Sequence, residues 1–413
     1  MSEKLYGACI IGQSGGPTAV INASAYGMIR TALDSPEISK VLGAAHGIKG
    51  VMTEQLYDMD AESESELSLL PHTPSSELGT CRYKMPDPEI DTIDYERILE
   101  VFKKHNVRYF FYNGGNDSMD TCEKISRYMS WAGWECRIAG VPKTIDNDLC
   151  GTDHSPGYGS AAKYIATSCA EVYKDACVYD MGTVVVMEMM GRHAGWLTAA
   201  SSLASICGCA PDLIYLPEVN FDMDKFLADV ARTKARRGSA IIAVSEGVHY
   251  ADGSFVSEAK ISDTDGFGHA QLGGLSARLA AVIKSRLGIK VRSIEFNLLQ
   301  RCAAHCASKT DIDEALLAGS EAVRRAVAGS TGFMVGFRRE YESGAYVCRT
   351  EEVPLSRVAN HEQLMPVSWI NAEKNWVTDD FIDYALPLIA GEPVRAMDRG
   401  IPRFARLNKV LIK

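Results

Sequence analysis

Lys143, Thr144, Asp146 and Asp148 fall within six residues in the stretch GVPKTIDNDLCGTD, just past a short apolar run. In open α/β sheets, ligands bind beyond strand ends of this kind. One carboxylate there can take a proton from a substrate hydroxyl, and another can hold Mg2+ directly or through water. The lysine can neutralise charge building on a moving phosphoryl group. A surface turn with aspartate caps is the plainer reading of the same string. Two glycine-bearing stretches offer partners for it. In IIGQSGGPTAVINA, Gly12, Ser14, Gly15 and Gly16 separate a strand pattern from a helix pattern. Backbone N–H groups and a helix N-terminus favour an anion there, although the glycines equally allow close helix–strand packing. NGGNDSMDT has the same setting but places Asn116 and Asp117 in the turn. An acidic helix start explains Asp117 as readily as chemistry does.

Further polar residues stand at other strand ends. Arg192 of MEMMGRHAGW suits phosphate or polar sugar contacts, and Glu246 of AVSEGVHY can accept bonds from sugar hydroxyls. Arg292 and Arg301 lie nine residues apart in VRSIEFNLLQR. Other strings carry less. GQSGGP differs by one letter from a serine-protease motif, but it opens the chain with no His and Asp partners before it. GYGSAAK fits G-x-G-x-x-A without a preceding strand, which argues against a nicotinamide site. Cys302, His305 and Cys306 lack a second ligand pair at zinc spacing and read as small residues packing a turn.

The elements that must position these residues alternate. YGACIIG, VRYFFYN, CRIAGVP, GTVVVMEMM, DLIYLP and SAIIAVS read as strands, with helical patterns between them. The strands barely alternate in polarity, so both faces are covered and the sheet is parallel. The chain has 413 residues, 46% hydrophobic and 23% charged, enough for two or three large cores. A net charge of -10 argues against nucleic-acid and anionic-membrane surfaces but leaves room for a small phosphorylated substrate. The start reads as no export signal, and no run approaches the ~18 apolar residues of a membrane span. A cytoplasmic setting with twelve free cysteines follows. The tail from WINAEKNW onward is less regular and reads as an ordered arm, a candidate subunit contact.

In this order and spacing, GGNDS, PKTIDND, MGRHAGW, PEV and SEG resemble the phosphofructokinase family, over roughly residues 5–340. The resemblance implies an α/β fold of two doubly wound, mostly parallel-sheet lobes with the active site in the cleft between them. It divides the chain into a diphosphate lobe (1–150 plus about 300–350), a sugar-phosphate lobe (151–299) and a C-terminal arm (351–413). It implies Mg2+-dependent, reversible phosphorylation of the C1 hydroxyl of fructose 6-phosphate, in glycolysis, by a homodimer or homotetramer. The ATP-using bacterial members read GGDGS and PGTIDND; here Asp117 and Lys143 replace two of those glycines. That pair resembles the diphosphate-dependent branch. A carboxylate at Asp117 lies where the α-phosphate of ATP must sit, and two like charges ~4 Å apart repel by up to about 4 kcal/mol at an effective dielectric of 20.

Carried over residue by residue, the resemblance makes Asp146 the base and Lys143 the neutralising cation. Thr144, Ile145, Met190, Gly191, Arg192 and Glu246 position the sugar, and Arg292, Leu298 and Arg301 surround its phosphate, some from a neighbouring subunit. Gly15 and Arg82 take diphosphate, and Mg2+ lies near Asn116 and Asp148. Departures from the ATP-using pattern are Asn116 for an aspartate, Thr183 for an arginine and Leu298 for a histidine. They leave room for another sugar phosphate such as sedoheptulose 7-phosphate; the alternatives are an ATP-dependent enzyme, against which Asp117 with Lys143 argues, and a non-catalytic regulatory chain. The intact TIDND speaks against the last.

Overall fold

In a computed structural model of the chain, the described residues are 4–412 except 179, 181, 258–260 and 265–269. The chain divides into two compact units. The first comprises Met1–Gly157, Lys309–Glu362 and Gly391–Lys413, and the second Tyr158–Ser308 and Gln363–Ala390.

The first unit is built on strands β1 (Gly7–Gln13), β2 (Ile38–Ala44), β3 (Leu56–Asp58), β4 (Val107–Gly114) and β5 (Arg137–Pro142), with the hairpin Phe333–Glu342 and Ala345–Pro354. Across the sheet the order is Ala345–Pro354, Phe333–Glu342, β5, β4, β1, β2, β3. The interior pairings are parallel, and the two outermost are antiparallel. All of β1 is buried, as expected where helices cover both faces. On one face, Cys9, Ile11, Tyr109 and Phe111 pack with Met28 and Ile29 of the helix Ile21–Leu33 and with Val323 of the helix Lys309–Val327. On the other, Ile10, Phe110 and Tyr112 pack with Phe102 of the helix Ile93–Lys104 and with Met119 and Ile125 of the helix Asn116–Trp131. The helices leaving β1 and β4 therefore take opposite faces. Between these neighbouring strands the winding reverses, and their carboxyl ends flank a crevice.

The second unit carries β6 (Val184–Met189), β7 (Leu213–Tyr215) and β8 (Ala240–Ser245), with Val291–Glu295 at one edge. The order is Val291–Glu295, β6, β8, β7, and every pairing is parallel. Val186, Ile242 and Val244 pack against Phe226, Val230, Leu279 and Ile283 of the helices Met223–Arg237 and Leu275–Leu287.

The tail is ordered and is shared between the units. In the second, the Trp196 ring meets Trp369 at 6.0 Å and Tyr384 at 5.3 Å. Its Nε1 donates to the Gln363 carbonyl at 3.1 Å. In the first, the buried Glu62 carboxylate accepts the N–H groups of Asn408 and Lys409 at 2.8 and 2.6 Å. Residues 351–354 complete the strand Ala345–Pro354. Among the described residues no helix is long and apolar enough to cross a membrane. All twelve cysteines are free thiols.

A buried ion network anchors the loop that follows β5 in the first unit. His154 meets Asp153 Oδ2 at 2.8 Å through Nδ1 and Glu314 Oε2 at 2.7 Å through Nε2. Arg339 Nη2 donates to Asp153 at 3.0 Å, and the Tyr346 hydroxyl donates to Glu314 at 2.8 Å. His154, Glu314 and Cys348 place ligand-type atoms within 4.8 Å of one another. Both imidazole nitrogens face carboxylates, however, which leaves no ring lone pair for a metal ion. Burial alone would lower the His154 pKa, but the two carboxylates outweigh it and raise the value from 6.5 to about 9. A raised imidazole pKa contributes stability that is full below the unfolded value and is lost as pH rises through the folded one. Unfolding free energy, measured in denaturant, is expected to fall as pH rises from about 6.5 to about 9. His154→Gln should flatten that slope and cost about 3–5 kcal/mol at neutral pH, the usual penalty for stranding one side of a buried ion pair. An unchanged slope in the variant would assign the pH dependence elsewhere.

Candidate active site

Three loops leave the carboxyl ends of the adjacent strands β1, β4 and β5, and backbone bonds hold them side by side. Ser14 N donates to the Asn113 carbonyl at 2.9 Å, and Lys143 N donates to the Gly114 carbonyl at 3.0 Å. The loop after β1 is longer than a simple strand-to-helix turn, because the helix begins only at Ile21. Gly15 has φ +76, a conformation that L side chains rarely adopt. Its N–H donates to the Cys81 carbonyl at 3.3 Å, which brings the neighbour of exposed Arg82 onto this loop. The Thr80 hydroxyl holds the Gly15 carbonyl at 2.7 Å.

Lys143 enters the same turn from the other side. Its side chain is buried, with 3% exposure, and its ammonium donates to the Gly16 carbonyl at 2.7 Å. A methyl group on Gly15 would stand 3.2 Å from that nitrogen. Burying an ammonium is costly unless polar groups meet it, and here the Gly16 carbonyl does so. Asp117 occupies the first turn of the helix Asn116–Trp131, where a carboxylate also complements the helix dipole.

Beyond Lys143 the loop turns on its own side chains. Thr144 N donates to the Pro156 carbonyl at 3.2 Å, and Asp146 N donates to the Thr144 hydroxyl at 3.1 Å. That hydroxyl lies 3.4 Å from Asp146 Oδ2, so Thr144 sets the carboxylate's direction. Ile145 is buried and anchors the turn. Asn147, at φ +56, accepts the N–H of Ser155 at 2.9 Å. Burial pushes the Asp148 carboxyl up to about 7, with the charges of Asp146 and Glu362 adding to the effect.

Asn116 is differently employed. Its Oδ1 accepts the N–H of Asn360 at 2.6 Å, and its Nδ2 donates to the His361 carbonyl. Residues 360–362 therefore reach this site, with an antiparallel bridge between Leu149 and Glu362. Nothing in the local sequence around Asn360 signals that contact, which spans more than two hundred residues of chain.

In the second unit, the loops after β6 and β8 interlock. Glu246 N donates to the Met189 carbonyl at 2.9 Å, Gly191 N donates to Glu246 Oε1 at 3.3 Å, and the Ser245 hydroxyl donates to the Gly191 carbonyl at 2.5 Å. Met190 N donates to Gln300 Oε1 at 3.3 Å, so Gln300 is a positioning residue that the sequence reading missed. Met190, Gly191, Arg192 and Glu246 thus come together. Arg301 lies in the short helix Leu299–Cys302, one residue after Gln300, and Leu298 beside it is 52% exposed. Arg292 stands apart: it pairs in register with Val185, four residues before Met189, or about 13 Å along the strand. There it is exposed and ion-paired with Asp175 at 3.4 Å.

A family model described as Phosphofructokinase matches residues 8–323. The chain is 44% identical to a pyrophosphate–fructose 6-phosphate 1-phosphotransferase of Halomonas elongata, over 96% of this chain and 95% of that protein. It is also 44% identical to one from Xanthomonas campestris, over 98% and 97%. A crystal structure of a pyrophosphate-dependent phosphofructokinase from Nitrosospira multiformis superposes with a TM-score of 0.90 at 40% identity, covering 99% of this chain and 98% of that one.

The contact between Gly15 and Lys143 can be measured directly. Gly15→Ala is expected to cost about 1–2 kcal/mol for the left-handed backbone alone, plus displacement of the ammonium. In a double-mutant cycle with Lys143→Met, read by chemical denaturation, the pair should couple by about 0.5–3 kcal/mol. Strict additivity would mean that the lysine does not lie against this turn.

Proposed function

Since the chain belongs to the phosphofructokinase family, we propose that it transfers a phosphoryl group from diphosphate to the C1 hydroxyl of fructose 6-phosphate, reversibly and with Mg2+. The products are fructose 1,6-bisphosphate and phosphate, a glycolytic step placed in the cytoplasm. The observation that carries this reading is the buried Lys143 ammonium against the Gly15–Gly16 turn, with Asp117 in the first turn of the adjoining helix. The arrangement suits a small, highly charged donor and disfavours one with a further phosphate and a nucleoside.

In this reading Asp146, directed by Thr144, accepts the proton of the C1 hydroxyl as its oxygen attacks phosphorus. Lys143 neutralises charge on the transferring group, while Gly15 and Arg82 hold the rest of the diphosphate. The catalysis is positioning and charge neutralisation. The residues present suit a divalent cation. Burial, with the charges of Asp146 and Glu362 beside it, raises the Asp148 pKa, and a cation held there would relieve both. Asn116 would contribute only the Oδ1 lone pair not used by Asn360. When bound near Asn116 and Asp148, Mg2+ would supply positive charge that neutralises the diphosphate.

Met190, Gly191, Arg192 and Glu246 would bind the sugar, and Arg301 with Leu298 would flank its phosphate. Arg292, at the far end of its strand, would serve a neighbouring copy in a homodimer or homotetramer.

The assay is formation of fructose 1,6-bisphosphate with Mg2+ and either diphosphate or ATP at equal concentration. Activity with diphosphate and little with ATP is expected; the reverse outcome would overturn the donor reading. Activity with neither would favour another sugar phosphate or a regulatory chain. Asp146→Asn should lower kcat by about 10²–10⁴-fold while sugar KM stays nearly constant. Retained turnover would remove Asp146 as the base. Asp117→Gly with Lys143→Gly should collapse the diphosphate rate, and an undiminished rate would sink the donor argument.

A further inference from the structure

Residues 359–362 lie beyond the stretch 8–323 that matches the family model, yet they fasten onto the loops assigned to the donor. They follow the short helix Leu355–Val358. Asn360 turns the chain with φ +61, a left-handed conformation that asparagine tolerates better than most residues. Its N–H and the next carbonyl, that of His361, clasp both ends of the Asn116 carboxamide. Its own side chain donates to Asp120 Oδ1 at 3.0 Å. Asp120 is buried and is held from its other oxygen by Lys124 at 2.6 Å. Asn116 and Asp120 are one turn apart on the same helix face, so the segment lies along the first turn of the helix that presents Asp117. Two residues further on, Glu362 bridges to Leu149, beside Asp148. The strap thus runs from the loop after β4 to the loop after β5 and carries a carboxylate at its end.

We propose that this strap is a second determinant of donor choice: it occupies the space along the first turn of the helix Asn116–Trp131 and closes the donor site beyond a diphosphate. The inference rests on the function proposed above, since it presumes that the donor lies between Gly15, Asp117 and Lys143. Asp117 acts by charge, against an additional phosphate. The strap acts by volume, against the nucleoside that the additional phosphate would carry. The two devices are separable because they reside on different segments.

The test uses the full chain with Asn360→Gly, which keeps the left-handed turn and removes the bond to Asp120. A second variant, Asn360→Asp, also tolerates that turn and sets like charge against Asp120. For each, the KM for diphosphate and the inhibition constants of ADP and ATP against diphosphate are measured, with the melting temperature checking that the variant folds. Loosening the strap should tighten ADP and ATP inhibition by about tenfold, while the diphosphate KM moves less than about threefold. Nucleotide inhibition that is unchanged, or that shifts in the same proportion as diphosphate, would overturn the strap's role. If Asn360→Gly does not fold, Asn360→Asp carries the same two outcomes. A wild-type protein that turns over ATP but not diphosphate would instead overturn the functional reading, so the two failures are distinct.

Discussion

The buried ammonium of Lys143 is the constraint around which the first unit's site is arranged. A lysine taken out of water is tolerated only where carbonyl dipoles or negative charge meet it. Here the Gly16 carbonyl meets it, and that bond ties the loop after β5 to the loop after β1. The tie demands a backbone close enough that Gly15 carries no side chain. It also aligns the strand ends, since Lys143 N is bonded to Gly114, the last residue of β4. Parallel pairing of β1, β4 and β5 supplies the frame, and the reversal of winding between β1 and β4 leaves the crevice open. Charge, turn geometry and topology therefore support the same placement.

In the second unit the two loops are joined through a carboxylate, that of Glu246. Glu246 receives the Gly191 N–H while its own N–H bonds to Met189, so each loop orients the other. The backbone approach is so close that a methyl group on Gly247 would stand 1.8 Å from the Arg192 carbonyl oxygen. The backbones of Arg192 and Glu246 are thereby fixed relative to each other.

Acidic side chains crowd the loop that follows β5. Asp146 and Asp148 share it, and Glu362 arrives from the end of the hairpin segment. Such crowding is unfavourable by itself, and it adds to the burial that raises the Asp148 pKa. A protein retains an arrangement of this kind where a cation or a transferable proton exploits it. Further along the same loop, the charges are matched instead: Arg339, Asp153, His154 and Glu314 form a chain of alternating sign, and they secure the loop's far end to the sheet and to the helix Lys309–Val327. The loop is thus rigid at one end and charge-frustrated at the other.

The sequence by itself determined the alternating strands and helices, the covered parallel sheets and the chemistry-bearing strings at strand ends. Those properties are local: apolar runs of strand length, glycines before helix starts, and polar residues two or three positions past a strand. They were enough to single out Lys143, Asp146, Asp117, Arg192 and Glu246. Only the tertiary structure decided which strings meet. It brought the Gly15 turn against Lys143, across 127 residues of chain, and put Gln300 on Met190. It left Arg292 at the opposite end of its strand, because spacing along the sequence does not reveal register. It also divided the tail between the two units and laid residues 360–362 on Asn116. Contacts of that kind are made by backbone groups, which every residue possesses, so no side-chain pattern announces them.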